Sequence, residues 1–288
     1  MLTYGITYWT GTLGTAIAAG ILDAPNGDSI GIKRIAATVG TEPSKRRVED
    51  ALSQHASRLS VRLQQDNNHV VQEADVVLLA IKPAKRADVF GAPGFRDALR
   101  GKLILSIMAG ISTTELRRLV LGGDGKDGED LQAVRAMPNM AARIRSAVTL
   151  YTAAPGTTEA SLELAAWVFG AVGTAQRVAD ERTFDICAVL VGCAGSLLLL
   201  AVDGLLDAAV AEGVKRTEAT DMVVNSAIGM MQLVPKVGAH PGVLREQIAS
   251  PGGCSIRALL ELEKQGVRSS FTSAILAAAE RSKQMSSS

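Results

Sequence analysis

Two glycine-bearing stretches carry residue types and spacings that could do chemistry. The first is Ile6-Thr7-Tyr8-Trp9-Thr10-Gly11-Thr12-Leu13-Gly14. Gly11 and Gly14 have the spacing of the second and third glycines of the dinucleotide-binding fingerprint G-x-G-x-x-G. The second glycine of that fingerprint lets backbone approach a pyrophosphate, and the helix that follows offers its N–H groups. Trp9 stands where the first glycine, which permits the tight strand-to-helix turn, would be. The second stretch is Ser250-Pro251-Gly252-Gly253-Cys254-Ser255, ahead of a helical pattern from Ile256. Glycines before a helix expose N–H groups at its positive end, a ready place for a carboxylate, and Ser255 adds a hydroxyl. Each stretch has a plainer reading: an ordinary turn for the first, a helix cap with a flexible approach for the second.

Three further positions lie where an open α/β sheet places ligands, at the carboxyl ends of strands. Lys82 and Pro83 follow the apolar run Val76–Ile81, and Lys82 is a candidate cofactor contact. Asn139 follows Ala133–Met137 and Pro138, and its amide suits the nicotinamide region as well as it suits a local Asx-turn. After the expected second strand come Gly40, Thr41, Glu42, Ser44, Lys45, Arg46 and Arg47. An acid at that strand's end would favour a free ribose 2′-hydroxyl, whereas hydroxyls and basic groups suit a 2′-phosphate, so NADP is favoured over NAD. The same charges also read as the solvated start of a helix.

Composition removes several function classes. The formal charge is +1 and aromatic residues are 3%, which gives no electrostatic or stacking case for nucleic acid. Cys187, Cys193 and Cys254 are far apart and odd in number, and His55, His69 and His240 are scattered, so neither a metal site nor a disulfide framework is expected. Cys193 and Cys254 read as small core thiols, with no base partner in view. No signal peptide is expected before Tyr8. The uninterrupted apolar runs Leu197–Val202 and Ala274–Ala279 fall short of the roughly 20 residues that span a bilayer. A soluble cytoplasmic protein is the expectation.

The elements that must position these residues alternate through the first half. Strands are expected at Ile6–Tyr8, Ile35–Val39, Val76–Ile81, Leu103–Ile107, Ala133–Met137 and Ala147–Tyr151, with a short one at His69–Val71. Helices are expected at Thr15–Leu22, Lys45–Leu59 and Thr113–Leu119, the last capped by Ser112 or Thr113, and a polar loop at Gly122–Gly128. This is the pattern of an α/β, Rossmann-like, doubly wound parallel sheet over residues 1–173. Residues 174–288 carry no strand signal. They read as an all-helical domain over Phe184–Ala211, Glu218–Leu233, Ser255–Leu262 and Ser269–Lys283, with Pro235, Pro241 and Pro251 marking loops. Phe184–Ala211 is too apolar for a monomer surface, which predicts a homodimer.

Taken together these residues resemble pyrroline-5-carboxylate reductase, most closely the fungal and bacterial forms. The likeness runs almost end to end: Gly11-Thr12-Leu13-Gly14, Ala74–Pro83, Ser106–Ile111, Met137-Pro138-Asn139, Asp203–Gly213, His240-Pro241-Gly242, Ser250–Gly253, and Glu263 with Gly266, Val267 and Arg268. The resemblance implies a Rossmann domain followed by a helical dimerisation domain. It implies hydride transfer from NAD(P)H to the C=N carbon of a cyclic imino acid, giving proline. It implies that Gly11, Thr12, Leu13, Gly14, Lys82, Pro83 and Asn139 hold the cofactor, that Cys193, Gly252, Gly253 and Ser255 lie on the substrate side, and that Ser255 places its hydroxyl near the imine nitrogen. Such chemistry needs a positioned hydride donor, a held carboxylate and a proton for nitrogen.

The departures from the family pattern cluster at these ligand groups. Trp9 replaces a glycine, the usual Pro-Asn-Thr-Pro reads Pro138-Asn139-Met140-Ala141, and the usual Ser-Gly-Pro reads Cys193-Ala194-Gly195. A second function class therefore stands beside the reductase of pyrroline-5-carboxylate or a bulkier imine. It is a repurposed scaffold without hydride transfer, either a tailoring enzyme for cyclisation or isomerisation or a binding protein for a larger apolar ligand.

Overall fold

The computed structural model describes residues 2–7, 11–24, 32–122 and 131–286; Trp9 and the expected loop after Gly122 lie outside the described residues. Eight strands form one sheet: β1 (Leu2–Thr7), β2 (Ile32–Val39), β3 (Leu59–Leu63), β4 (Val76–Leu79), β5 (Leu103–Ser106), β6 (Ala133–Pro138), β7 (Ala147–Ala153) and β8 (Gly173–Arg177). Their order is β3-β2-β1-β4-β5-β6-β7-β8. Strands β1 to β6 are parallel, β7 is antiparallel to β6, and β8 is parallel to β7. The first six strands thus have the 3-2-1-4-5-6 order of a dinucleotide-binding sheet, with its switch point between β1 and β4.

Among the described residues seven α-helices connect or flank the strands: α1 (Thr12–Asp23), α2 (Glu42–Ala51), α3 (Asn67–Gln72), α4 (Arg86–Phe90), α5 (Phe95–Leu99), α6 (Thr113–Leu121) and α7 (Glu159–Gly170). They cover both faces of the sheet. On one face Val76 and Leu78 join Ile17, Ile21 and Phe169 of α1 and α7. On the other Val77 and Leu79 join Phe90, Phe95 and Leu116 of α4, α5 and α6. All four side chains of β4 are at most 1% exposed. This is why its sequence is continuously apolar rather than alternating, and each such side chain contributes about 1.5–3 kcal/mol of burial. Ser112 Oγ accepts the Glu115 N–H at 3.1 Å, fixing the start of α6 as the sequence predicts, and Thr41 caps α2 in the same way.

Two sequence expectations in this half are corrected. The expected strand at His69–Val71 is the short helix α3, and the expected helix Lys45–Leu59 ends at Ala51, so that Leu59 opens strand β3. A third correction lies just beyond residue 173, where no strand was expected and β8 is found. One compact unit continues through β8 and the first turns of the next helix to Ala188; a second spans Val189–Lys283.

The second unit is helical: α8 (Glu181–Ala211, which starts in the first unit), α9 (Arg216–Val237), α10 (Pro241–Ile248), α11 (Cys254–Lys264) and α12 (Val267–Ser286). Pro235 lies inside α9 and Pro241 begins α10, so these prolines belong to helices rather than loops. Proline at the first helical position loses no hydrogen bond, because that N–H has no partner in a helix anyway. The described large apolar side chains of this unit are mostly exposed, Leu199 by 67% and Leu200 by 69%; only Leu206, Ala219 and Leu244 are buried. Helix α8 is also long and apolar enough to cross a membrane by length and composition, with mean hydropathy 2.3 over its most apolar 18 residues. Interrupted by single small or polar residues, its sequence hides that length from a search for unbroken runs.

Candidate active site

The carboxyl edge of the parallel strands gathers most of the expected cofactor residues. Gly11 is the N-cap of α1, in extended backbone, with no side chain capping the helix and no acid in its first turn. The N-terminal amides of α1 are therefore offered to an anion at the switch point, where the macrodipole adds to the attraction. A β-carbon built on Gly11 would meet none of the described residues within 4 Å. Among the described residues packing does not call for a glycine here, which fits the close approach of a ligand. Thr12 is exposed, Leu13 leans on the core, and Gly14 is buried.

Lys82 follows β4 and is exposed, while Pro83 is half-buried and starts a single 3₁₀ turn whose Pro83 carbonyl accepts from Arg86 at 3.0 Å. Asn139 follows β6. Its Oδ1 is buried and has no hydrogen-bond partner among the described residues. A buried amide oxygen without a donor is destabilising by about 1–3 kcal/mol, and the carboxamide of a nicotinamide is a donor of the right kind. The open Gly11 position, the uncapped start of α1 and the unsatisfied Asn139 together fit a dinucleotide across this edge.

At the end of β2, Thr38 donates to Asn67 Oδ1 at 2.6 Å, tying this strand to α3. The Thr41 hydroxyl donates to Ser44 Oγ at 3.0 Å. Arg46 and Arg47 line a surface depression with Glu42, Pro43 and Asp50. Hydroxyls and guanidinium groups are thus present where a 2′-phosphate would be read, among acids that partly offset them.

The second unit carries the carboxylate candidate. Ser250 O accepts the Gly253 N–H at 3.0 Å, and Gly252 has φ +72°. Proline at the second position and a positive-φ glycine at the third define a type II turn. It delivers the chain into α11, whose N-cap is Gly253 without a side-chain cap and whose first turn holds no acid. Ser255 is exposed in that first turn. Cys193 lies on α8, half-buried, and its carbonyl accepts from Ser196 Oγ at 2.8 Å. Among the described residues no hydrogen bond joins it to the Ser250–Ser255 turn, and no group of His, Cys, Asp and Glu could hold a metal.

One cluster beside the cofactor edge was not singled out from sequence. Arg135 of β6 has a side chain only 7% exposed. It ion-pairs with Glu181, and with Asp185 at 2.8 Å, and its guanidinium lies 4.4 Å from the centre of the Phe184 ring. Glu181 Oε1 accepts the Thr113 N–H at 2.7 Å. A lone arginine inside an apolar strand, Ala133-Val134-Arg135-Ala136, was the available signal, since a buried charge must be paired.

Comparison with known proteins places this geometry. Residues 9–110 match the family model described as NADP oxidoreductase, coenzyme F420-dependent, and residues 181–285 match the one described as pyrroline-5-carboxylate reductase dimerisation. The chain is similar to delta-1-pyrroline-5-carboxylate reductase kk1I of Curvularia clavata, at 36% identity over 284 residues, covering 96% of this chain and 89% of that protein. It is similar to pyrroline-5-carboxylate reductase of Lophium arboricola, at 33% identity, covering 92% and 88%. The fold is shared with the pyrroline carboxylate reductase of Plasmodium falciparum, solved with NADP bound, at a TM-score of 0.81 and 23% identity over 99% of this chain and 98% of that one. An end-to-end match at these identities shows that the chain belongs to the pyrroline-5-carboxylate reductase family.

Proposed function

We propose that the chain reduces the C=N bond of a cyclic imino acid with NADPH, taking pyrroline-5-carboxylate or a bulkier relative to the saturated amino acid. The observation that carries the reading is the pair of uncapped helix starts, α1 behind Gly11 and α11 behind Gly253. One suits a pyrophosphate and the other a substrate carboxylate. The relatives are named as reductases, which supports hydride transfer over a repurposed scaffold.

Gly11, Thr12, Leu13 and Gly14 would hold the pyrophosphate, and Lys82, Pro83 and Asn139 the nicotinamide half. When bound there, NADPH supplies the hydride that goes to the imine carbon. Gly252 and Gly253 would shape the carboxylate site: the Gly253 N–H closes the turn onto Ser250 O, which leaves the Gly252 amide and the first amides of α11 for the carboxylate, with Cys193 as a further substrate-side group. The Ser255 hydroxyl, in the first turn of the same helix, would pass a proton to nitrogen, so that one hydride and one proton complete the amine. Asn139 exchanges a buried unsatisfied oxygen for a hydrogen bond, which orients the carboxamide. The basic groups after β2 support NADP over NAD.

The exposed apolar side chains of α8 and α9 support a homodimer. A second copy covers a surface that would otherwise be an aggregation liability, and this reading is preferred to a membrane span. Calorimetry with NADPH, followed by NADPH oxidation with pyrroline-5-carboxylate and its six-membered analogue, tests the proposal. Micromolar NADPH binding with turnover of at least one imine is expected; neither binding nor turnover would refute it.

A further inference from the structure

We propose that Glu181 is a positioning residue for hydride transfer, acting through the loop of residues 107–112; this rests on the reductase reading above. The loop follows β5 and crosses the carboxyl edge in the β4–β6 half of the sheet, the half that takes the second nucleotide of a dinucleotide. Its near end is held by the Ile107 N–H to Leu79 O at 3.1 Å and the Met108 N–H to Ser106 Oγ at 3.3 Å. Its far end is Thr113, the first residue of α6, whose N–H goes to Glu181 Oε1. The partner is thus 68 residues away in sequence, on the first turn of α8.

Glu181 is itself fixed. Its other oxygen, Oε2, pairs with Arg135, and Arg135 is held in turn by Asp185 and by the Phe184 ring. A carboxylate with one oxygen on a buried guanidinium and the other on a helix-terminal amide has both acceptors engaged in charge-assisted bonds. Asp185 shares the guanidinium, but its hydrogen bond among the described residues is to Arg135. The two acids therefore serve the same cation, and among the described residues Glu181 is the one of the pair hydrogen-bonded to the end of the loop.

Replacing Glu181 by glutamine separates these roles, because an amide has one acceptor oxygen where Glu181 uses two. The buried, charged Arg135 guanidinium is the stronger claimant for that oxygen, so the amide NH2 faces the Thr113 N–H and the Thr113 bond is lost. In Glu181→Gln, kcat for imine reduction is expected to fall about 10-fold, as a misplacement of the reacting partners by a fraction of an ångström does. The isotope effect with 4-deuterated NADPH is expected to rise, and the NADPH dissociation constant to stay within threefold. Amide exchange at Thr113 is expected to speed up at least tenfold. Asp185→Asn is expected to lower the melting temperature by as much or more while kcat stays within twofold and Thr113 stays protected.

If both variants lose kcat in proportion to stability, or if Glu181→Gln keeps kcat within twofold of the parent, the assignment is overturned. Unchanged Thr113 exchange in Glu181→Gln overturns the tether whatever the activity. A parent protein inactive on every imine overturns the reductase reading instead.

Discussion

Gly253 stands so close to Ser250 that a β-carbon on it would lie 2.5 Å from the Ser250 hydroxyl oxygen and 3.2 Å from the Ser250 carbonyl oxygen. The hydroxyl can rotate away; the carbonyl cannot, because it accepts the Gly253 N–H that closes the turn. A methyl group here therefore opens the turn and re-aims the first amides of α11. Gly253→Ala is expected to raise KM for the imine at least 10-fold, about 1.4 kcal/mol, with NADPH affinity unchanged. Steady-state kinetics beside calorimetry with NADPH check it, and an unchanged KM would remove the turn from the carboxylate site.

Gly11 gives the opposite test. Its φ of −132° is available to any residue, and an added methyl meets none of the described residues within 4 Å. Gly11→Ala should leave the melting temperature of the free protein within a degree or so, while NADPH binding weakens at least 10-fold as the methyl occupies the approach to the pyrophosphate. Melting the protein with and without NADPH reads both effects at once. A free protein destabilised by the substitution would show that the glycine serves packing.

The parts of this fold that sequence reveals are those whose burial is symmetrical. Strands β4 and β5 are covered on both faces and read as apolar runs, with the buried Ser106 at the end of β5 the one polar residue. The two strands missed, β3 and β8, are the edges of the sheet. Leu59–Leu63 has one buried residue among half-buried ones, and Gly173–Arg177 has none, so neither shows a period. Val70 and Val71 are both buried, yet they sit on a helix of six residues, too short for spacing to tell a period of 3.6 from one of 2. At the site, the local devices were legible: the glycine turns, the helix starts, Asn139 after its strand. The Arg135 cluster was not, because its partners lie 46 and 50 residues away and pairing at that distance leaves no spacing to read.

Leu199 and Leu200 are adjacent on α8, and each is more than 60% exposed in a single chain. Burying two such side chains against a partner contributes roughly 3–6 kcal/mol, and a carboxylate placed there would have to be desolvated without a counter-ion. The double variant Leu199→Glu/Leu200→Glu is expected to run as one chain of about 30.1 kDa, where the parent runs at twice that mass. Light scattering at matched concentration decides. A parent that already has the mass of one chain refutes the dimer, and recovery of the parent only in detergent would favour the membrane for α8.

Two carboxylates make acid stability calculable in sign. Glu263 at the end of α11 accepts a hydrogen bond from Arg268, and Arg245 Nη1 lies 3.3 Å from the same Oε1. The Arg268 bond is the main cause holding its carboxyl below the ordinary value of 4.5, with attraction from both arginines adding to it. Asp180, ahead of α8, accepts from the Thr183 N–H and hydroxyl, which hold it below 3.8 in the same way. A pKa lowered by folding means stability fully present above the unfolded value and lost as pH falls through the folded one. The melting temperature at fixed protein concentration should therefore be level from about pH 7 to 5 and decline below about 4.5. Glu263→Gln removes the ionised partner at every pH, so its melting temperature should lie below the parent's at neutrality and converge on it in acid. Thermal unfolding by circular dichroism between about pH 3 and 7 reads that gap. A gap that stays constant with pH would mean that the Glu263 substitution acts through packing and not through its charge.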